Sequence, residues 1–215
     1  EQAITSGATV TIGLDLGDRM TEGCVMDTTG AVVERFRTRT TRARVAPLLA
    51  ILEHLTATIR QFDRQLARLA TTRYPVTAVL RQIPGVGPLT ALTYVLTLED
   101  PTRFRKSRMV GAYLGLRPKR RESGAQRPEL STTKAGDVFL RRHLVTAAQY
   151  ILGPFGPDTD LRRWGLALAA RGGRAAKKRT VVAVARKLAV LLHRLWVTGE
   201  VYEPLGYQAR AARVA

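Results

Sequence analysis

The sequence predicts a mainly α-helical protein that opens with a small antiparallel β-meander. Short apolar runs separated by turn residues are confined to residues 9–37. From residue 46 onward, apolar side chains recur at intervals of three and four, which is the spacing of one helix face. Turns containing glycine and proline then divide the remaining chain into further helical segments. Strands are therefore expected at the N-terminus and helices after it.

The N-terminal segment contains three strand-like runs, at residues 9–15, 23–27 and 31–36, with turn chemistry at Thr29 and Gly30. Three short strands at this close spacing favour an antiparallel meander. Residues 1–30 also carry five acids against one arginine, which is unlike the rest of the chain.

A long helix is predicted over residues 46–70, because apolar residues form a narrow stripe there. The stripe consists of Leu48, Leu49, Leu52, Leu55, Ile59, Phe62, Leu66 and Leu69. Such a stripe packs against a partner helix, either within the chain or in a second copy of it. A homo-oligomer formed through residues 46–70 is the expectation.

The remainder is predicted to be helical with one exception. Residues 115–133 are too rich in glycine, proline and charge for a helix, and a loop or short hairpin is expected there. The predicted helices cover residues 76–82, 88–98, 107–114, 135–151, 160–170 and 176–198.

Charge limits the classes of partner. The chain has 35 Lys and Arg residues against 17 acids, a formal net charge of +18, which favours a polyanion such as DNA or structured RNA. No run of about 18 apolar residues suggests a membrane span, and no signal-peptide pattern opens the chain. A single cysteine, Cys24, excludes an intramolecular disulfide. A cytoplasmic, DNA-associated protein without a membrane partner is expected.

The cations fall into two blocks, residues 101–145 and 171–194, and the second contains no acid. Any single arginine is explained by a solvated surface, but two long blocks with few acids favour a bound polyanion. The candidate DNA- or RNA-binding cations are Arg103, Arg105, Lys106, Arg117, Lys119, Arg120, Arg121, Lys134, Arg141, Arg142, Lys177, Lys178 and Arg179.

The turn at residues 83–87, Ile-Pro-Gly-Val-Gly, suggests a helix-hairpin-helix. Gly85 and Gly87 permit backbone angles that are closed to other residues, and amides at the start of the next helix can bind a phosphate. Such a contact would not depend on base sequence. The alternative is an ordinary tight turn between packed helices.

Two residues are candidates for chemistry. Ser123 lies beside Gly124 among arginines that could clamp a phosphate, although most serines in such loops are unreactive. The nearby Ser131 is the other serine to weigh, and it is expected to be the N-cap of the helix that follows. Asp15 ends the first strand, where ribonuclease-H-like nucleases present a magnesium ligand. A solvated turn aspartate is the alternative for Asp15. His193 lies in a helical stripe and is expected to be structural.

Several motifs match a known family in their order and spacing. They are residues 83–87 with Thr90-Ala91, Arg103-Phe104, residues 113–118, Ser123-Gly124, residues 134–136 and residues 140–144. Together they resemble the C-terminal domain of insertion-sequence one-ten family transposases, relatives of the pilin-gene invertase. Residues 13–18 resemble the start of the family's RuvC-like domain.

This resemblance implies a DNA recombinase in which Ser123 forms a covalent link to DNA. It also implies a four-carboxylate Mg²⁺ site with Asp15 as its first member, an oligomer, and a guide RNA. The implied organisation is a partial RuvC-like lobe at 1–44, a helix-pairing segment at 45–75, a transposase domain at 76–200 and a basic tail at 201–215.

The sequence departs from the family between the meander and the long helix. Residues 38–46 join the two directly, and the other three magnesium ligands have no counterpart, so the metal site is expected to be incomplete. A natural deletion, a decaying copy or an artificially shortened sequence would explain this gap. The rival functions are a non-catalytic nucleic-acid-binding remnant and an oligomerisation partner of a full-length enzyme.

Overall fold

The computed structural model describes residues 9–119, 131–173 and 175–206. The chain divides into two compact units, Glu1–Phe62 and Asp63–Ala215. No helix in the described ranges combines the length and the apolar character needed to cross a membrane.

The first unit contains the expected meander. Strands β1 (Thr11–Leu16), β2 (Met20–Met26) and β3 (Val32–Arg39) form one antiparallel sheet in the order β1-β2-β3. In the turn between β2 and β3, Asp27 Oδ1 accepts hydrogen bonds from the amides of Thr29 (2.8 Å) and Ala31 (3.0 Å). Hydrogen bonding from the Thr29 hydroxyl and from these amides lowers the pKa of the Asp27 carboxyl. The prediction of three strands is confirmed.

Helix α1 (Arg42–Thr72) is longer than the predicted helix of residues 46–70. Pro47 lies inside the helix and not at its start. Because proline has no backbone N–H, one hydrogen bond of the helix is missing at this position. Much of the apolar stripe is open to solvent: Leu52, Ile59 and Phe62 are 58%, 59% and 58% exposed.

Among its described residues, the second unit contains the C-terminal end of α1 and six further helices, which are α2 (Thr77–Leu80), α3 (Pro88–Leu98), α4 (Arg108–Tyr113), α5 (Val138–Leu152), α6 (Asp160–Ala170) and α7 (Ala176–Thr198). A 3₁₀ turn at Pro101–Arg103 separates α3 from α4. The predicted bounds of α3, α6 and α7 are confirmed. Helix α5 begins three residues later than predicted, because Lys134 (φ 56°) and Gly136 (φ 77°) are left-handed. Asp137 caps α5 by accepting from the Leu140 amide at 2.6 Å, so the prediction of Ser131 as its cap is wrong.

Helix α7 passes through the centre of this unit and packs against α4, α5 and α6. Leu188 and Leu192 of α7 are fully buried. The hydroxyl of buried Tyr94, on α3, donates to the Ala189 carbonyl at 2.6 Å, and burial raises the pKa of Tyr94 well above its usual value. At the crossing of α6 and α7, a Cβ on Gly165 would lie 2.7 Å from Val184 Cγ2. Glycine there allows the two helices to approach closely.

The turn between α2 and α3 uses its two glycines differently. Gly85 has φ +89°, and a Cβ there would lie 2.9 Å from Tyr150 Cδ1. Gly87 has φ −84° and ψ 175°, an ordinary extended conformation, with open space where a Cβ would be. The expectation that both glycines need unusual backbone angles is therefore wrong for Gly87.

We predict that Gly85→Ala and Gly87→Ala differ sharply in stability. Gly85→Ala combines a strained left-handed backbone with a collision against α5, and should lower the free energy of unfolding by about 1–3 kcal/mol. Gly87→Ala should change the free energy by no more than about 0.5 kcal/mol, because the added methyl group meets nothing. Denaturant unfolding monitored by circular dichroism measures both values. Equal effects of the two substitutions would contradict the assigned backbone conformations.

Candidate functional site

A concave site lies in the second unit between α4, the 3₁₀ turn and α7. It is a cavity of about 850 Å³. Four arginines line it, Arg103, Arg108, Arg117 and Arg186, and we call it the arginine pocket. None of the described residues that line it is acidic, and the rest of the wall is formed by Phe104, Met109, Ala112, Tyr113 and Pro118.

The four arginines come from separate parts of the chain. Arg103 ends the 3₁₀ turn, Arg108 begins α4, Arg117 follows α4, and Arg186 projects from α7. Gly111 of α4 makes room for the last of these, because a Cβ on Gly111 would lie 2.8 Å from Arg186 Cγ. The close approach of α4 to α7 therefore brings sequence-distant cations together.

Three of these guanidinium groups have no acidic partner among the described residues. Arg103 forms an ion pair with Glu99 at 3.3 Å. Arg108, Arg117 and Arg186 form no ion pair with any residue of the described ranges. Like charges around one cavity repel each other unless an anion lies between them, and guanidinium groups bind phosphate oxygens in a bidentate fashion. The pocket is therefore suited to a phosphate-bearing ligand.

His193 of α7 fixes the segment that carries Arg103 and Arg108. It is 2% exposed, and its Nε2 lies 2.9 Å from the Pro101 carbonyl, which can only accept, so Nε2 donates. Its Nδ1 lies 3.0 Å from Ser107 Oγ. The ring also meets Phe104 edge-on, with centroids 5.6 Å apart. His193 is structural, as predicted, and it links α7 to both ends of the segment before α4.

Aromatic contacts continue from Phe104 to the pocket wall. The Phe104 and Tyr113 rings lie edge-on with centroids 5.3 Å apart. The Arg103 guanidinium lies 5.8 Å from the centre of the Tyr113 ring, a cation–π distance. At the same turn, Asp100 accepts from the Thr102 hydroxyl and amide, and these bonds lower the pKa of its carboxyl. The position of Arg103 is thus set by several contacts.

After the pocket, residues 117–119 pair with residues 131–133 as the base of a hairpin, and we call this pair of segments the hairpin foot. The Lys119 amide donates to the Ser131 carbonyl and the Thr133 amide to the Arg117 carbonyl, both at 2.9 Å. These bonds flank a bridge between Pro118 and Thr132. The expectation of a loop or short hairpin over residues 115–133 agrees with this foot. Residues 120–130, which include Ser123, Arg120 and Arg121, lie outside the described residues.

The other predicted cations have different surroundings. Arg141 is half-buried, and its guanidinium donates to the carbonyls of Leu114 (3.2 Å) and Ala135 (2.9 Å), so it holds the backbone around the foot. The remaining ones are exposed on the surface: Arg105, Lys106, Lys119, Lys134, Arg142, Lys177, Lys178 and Arg179.

Sequence reasoning selected Arg103 and Arg117 but not Arg108 and Arg186. A usable signal existed for Arg186, which follows Arg179 by seven residues and therefore lies on the same side of α7 within an acid-free block. Nothing in the sequence indicates that this side meets α4.

The turn at residues 83–87 presents backbone donors. Within the described residues, the amides of Gly85 and Gly87 form no hydrogen bond, and no side chain caps the start of α3. Gly87 is exposed with open space beside its Cα. A phosphate can approach the backbone at this point.

Asp15 lies within β1 and not in a turn. The sheet register places it opposite Glu22, which is opposite Arg37, so the three side chains share one face. Arg37 Nε is 3.4 Å from Glu22 Oε1. No group of three or more His, Cys, Asp or Glu side chains that could hold a metal occurs within the described ranges. These residues do not fit the four-carboxylate Mg²⁺ site that the resemblance implies.

Comparison with known proteins gives a consistent set of matches. Residues 77–160 match the model of the family Transposase IS116/IS110/IS902. The chain is 36% identical over 124 residues to the transposase for insertion sequence element IS1111A of Coxiella burnetii, covering 57% of the chain and 33% of that protein. It is 33% identical over 135 residues to putative transposase y4pF/y4sB of Sinorhizobium fredii, covering 62% of the chain and 34% of that protein. It is 25% identical over 141 residues to the pilin gene-inverting protein of Moraxella lacunata, covering 64% of the chain and 42% of that protein.

Residues 77–160, within the second unit, are therefore similar to the transposase domain of the IS116/IS110/IS902 family, in agreement with the resemblance inferred from the sequence motifs. The matched region spans about a third of the length of these two transposases, 33% and 34% respectively. The matched domain contains Arg103, Arg108 and Arg117 of the arginine pocket, whereas Arg186 lies beyond it.

Proposed function

We propose that this chain takes part in the cutting and rejoining of DNA as an insertion-sequence transposase, with the arginine pocket as its principal contact to the phosphate backbone. The observation that carries the proposal is the position of the pocket. Arg117 and Pro118 line it and also belong to the hairpin foot, whose two segments lie on either side of residues 120–130 in the sequence. The family relationship and the names of the pilin gene-inverting relatives support a recombination function.

In this proposal Ser123 is the nucleophile. Its Oγ forms a bond to the phosphorus of a backbone phosphate as the bond from phosphorus to a sugar oxygen breaks. The serine proton is released, and the displaced oxygen gains a proton, so the step needs no oxidant or reductant. Rejoining is the reverse reaction with the hydroxyl of another strand. Arg108, Arg117 and Arg186, which form no ion pair within the described residues, support the step by stabilising negative charge as it develops on the phosphate.

A second phosphate contact is proposed at the turn between α2 and α3. The amides of Gly85 and Gly87, which donate no hydrogen bond within the described residues, and the start of α3 match what a helix-hairpin-helix offers to a DNA backbone. Exposed Arg105, Lys106 and Arg142 extend the cationic surface of this unit. A structured guide RNA would meet the same cations, because it carries the same backbone charge.

For the first unit we propose that the meander corresponds to the beginning of a RuvC-like lobe. No Mg²⁺-dependent step belongs to this proposal, since the described residues place only Glu22, already paired with Arg37, opposite Asp15. This arrangement also favours a second candidate function, a nucleic-acid-binding remnant that no longer cuts DNA by itself.

We further propose that the chain pairs with a second copy through α1. Leu52, Leu55, Ile59 and Phe62 recur at steps of three and four, the heptad spacing of a coiled coil, and all are exposed. At 31 residues, the helix spans roughly 46 Å at about 1.5 Å per residue. An identical helix offers an apolar stripe of matching length and spacing.

We predict that Arg186→Ala weakens binding to duplex DNA by about tenfold or more at low salt, the usual value of a charge-assisted hydrogen bond. The slope of log affinity against log salt should become shallower by about 0.9 for each phosphate that the variant no longer neutralises. Fluorescence anisotropy over a salt series measures both. Arg171→Ala is the matched control, because Arg171 is exposed at the end of α6, outside the pocket. Equal decreases in affinity for the two variants, or a wild-type slope shallower than about −2, would show that the pocket arginines are ordinary solvated residues and not a DNA-binding site.

We predict that Ser123→Ala abolishes a covalent protein–DNA adduct but leaves DNA affinity unchanged, because only the nucleophile is removed. The chain is incubated with DNA from the ends of its element, alone and mixed with a serine-dead full-length relative, and adducts are detected on denaturing gels. Ser131→Ala is the control, since Ser131 serves the hairpin foot through its backbone carbonyl. An adduct that persists in Ser123→Ala would assign the nucleophile elsewhere. No adduct in any mixture would favour the binding remnant.

We predict that the wild type forms dimers and that Ile59→Lys disrupts them, because a buried ammonium group without a partner is costly in an apolar seam. Sedimentation velocity at several concentrations gives the mass of the particle. Gln61→Lys adds the same charge to the same helix away from the stripe and should leave the dimer intact. A wild type that is monomeric at all concentrations would rule out pairing through α1.

A further inference from the structure

We infer that the arginine pocket receives an unpaired nucleotide of a DNA or RNA strand, with its base against the apolar wall and its flanking phosphates on the arginines. This inference rests on the proposed nucleic-acid-binding function and specifies the form of the ligand. It predicts a preference for nucleic acid in which a nucleotide can leave the base stack.

The dimensions and walls of the pocket support a ligand larger than a phosphate group. Its volume of about 850 Å³ lies within the range of roughly 300–1,000 Å³ that is usual for sites that enclose a small molecule. Backbone phosphates of an intact duplex require only cations on an open surface. A concave site of this volume is more than that contact needs.

The chemistry of the wall points to a base. Met109 is 47% exposed and Tyr113 is 39% exposed, and with Ala112 and Pro118 they form an apolar wall among the guanidinium groups. Apolar and aromatic side chains that remain exposed inside a cationic pocket match the two parts of a nucleotide, a flat ring system and charged phosphates. A base that is paired and stacked in a duplex cannot enter a concave site, so the nucleotide must be unpaired.

The neighbouring elements keep this wall in place. Phe104 packs edge-on against Tyr113 on one side and against buried His193 on the other. His193 in turn holds Pro101 and Ser107 by hydrogen bonds of 2.9 and 3.0 Å. The wall is therefore tied to α7, which also supplies Arg186. A site whose walls are fixed before binding loses little freedom when the ligand enters.

The position of the pocket gives the nucleotide a role. Because Arg117 and Pro118 belong to both the pocket and the hairpin foot, a nucleotide held there lies next to the start of the segment that contains Ser123. Removal of one nucleotide from the stack would bend and open the strand at that point, which exposes its backbone to a nucleophile.

The test compares affinities for three DNA probes of the same length: a paired duplex, the same duplex with one bulged nucleotide, and a single strand. A parallel set in RNA identifies which nucleic acid supplies the nucleotide. Wild-type protein should bind the bulged probe at least about tenfold more tightly than the paired duplex, as expected from one base–aromatic contact. Tyr113→Leu should lose this preference and bind the bulged and the paired probes equally, and Tyr113→Phe should retain the preference. Phe155→Leu is the control, since Phe155 is 84% exposed and lies outside the pocket.

A second measurement avoids reliance on one variant. A bulged probe with 5-iodouracil at the unpaired position is irradiated with wild-type protein, and the crosslinked peptide is identified by mass spectrometry. The expected peptide contains Tyr113. If Tyr113→Leu does not fold, as judged by circular dichroism, Met109→Ala takes its place in the affinity series.

The outcomes separate this inference from the proposed function. Equal wild-type affinity for paired and bulged probes, or a crosslink outside the pocket, overturns the inference that the pocket receives an unpaired nucleotide. This holds even if Arg186→Ala still weakens binding to all probes. If Arg186→Ala changes no affinity, the proposed function fails as well. A preference for the bulge that Tyr113→Leu removes, with a crosslink at Tyr113, supports the inference.

Discussion

Burial of one face of α7 is the constraint on which the second unit depends. Ala185, Leu188, Ala189 and Leu192 are fully buried on that face, and α4, α5 and α6 all pack against the helix. Burial of apolar side chains supplies most of the free energy of such a unit. Arg186 and Lys187, beside the buried residues on the helix, remain exposed. One element thus provides both the core and part of the cationic surface.

Close backbone approaches then fix the segment next to the pocket. Gly115 (φ 68°) and Gly136 (φ 77°) each lie where a Cβ would collide with backbone atoms of the other's segment. The Lys134 amide donates to the Gly115 carbonyl at 3.1 Å, and Arg141 adds hydrogen bonds to carbonyls on both sides. An arginine that stabilises backbone carbonyls in this way acts on the site indirectly. The hairpin foot is therefore built on the close contact between the segment that follows α4 and the segment that precedes α5.

Cations and acids have different roles in this chain. In the second unit, Asp137 caps α5 and Asp158 pairs with Arg163, while Asp100 bonds to Thr102. Hydrogen bonding from Arg163 lowers the pKa of the Asp158 carboxyl. These acids serve local structure, and none of them lines the arginine pocket. Among the described residues, the pocket arginines other than Arg103 are therefore without an acidic partner.

The sequence by itself determined the elements, the charge and the similarity to a transposase family. Periodicity located α3, α6 and α7, because hydrophobic spacing along a helix is a local property, and the spacing of short motifs indicated the similarity of residues 77–160 to transposases. Only the tertiary structure decided which cations meet. Arg103 and Arg186 are distant in sequence, and they line one cavity because α4 crosses α7 at Gly111. The tertiary structure also shows that Arg141 donates hydrogen bonds to backbone carbonyls and that Gly87 has an ordinary extended conformation. Such assignments depend on packing between segments far apart in the chain, which no local pattern records.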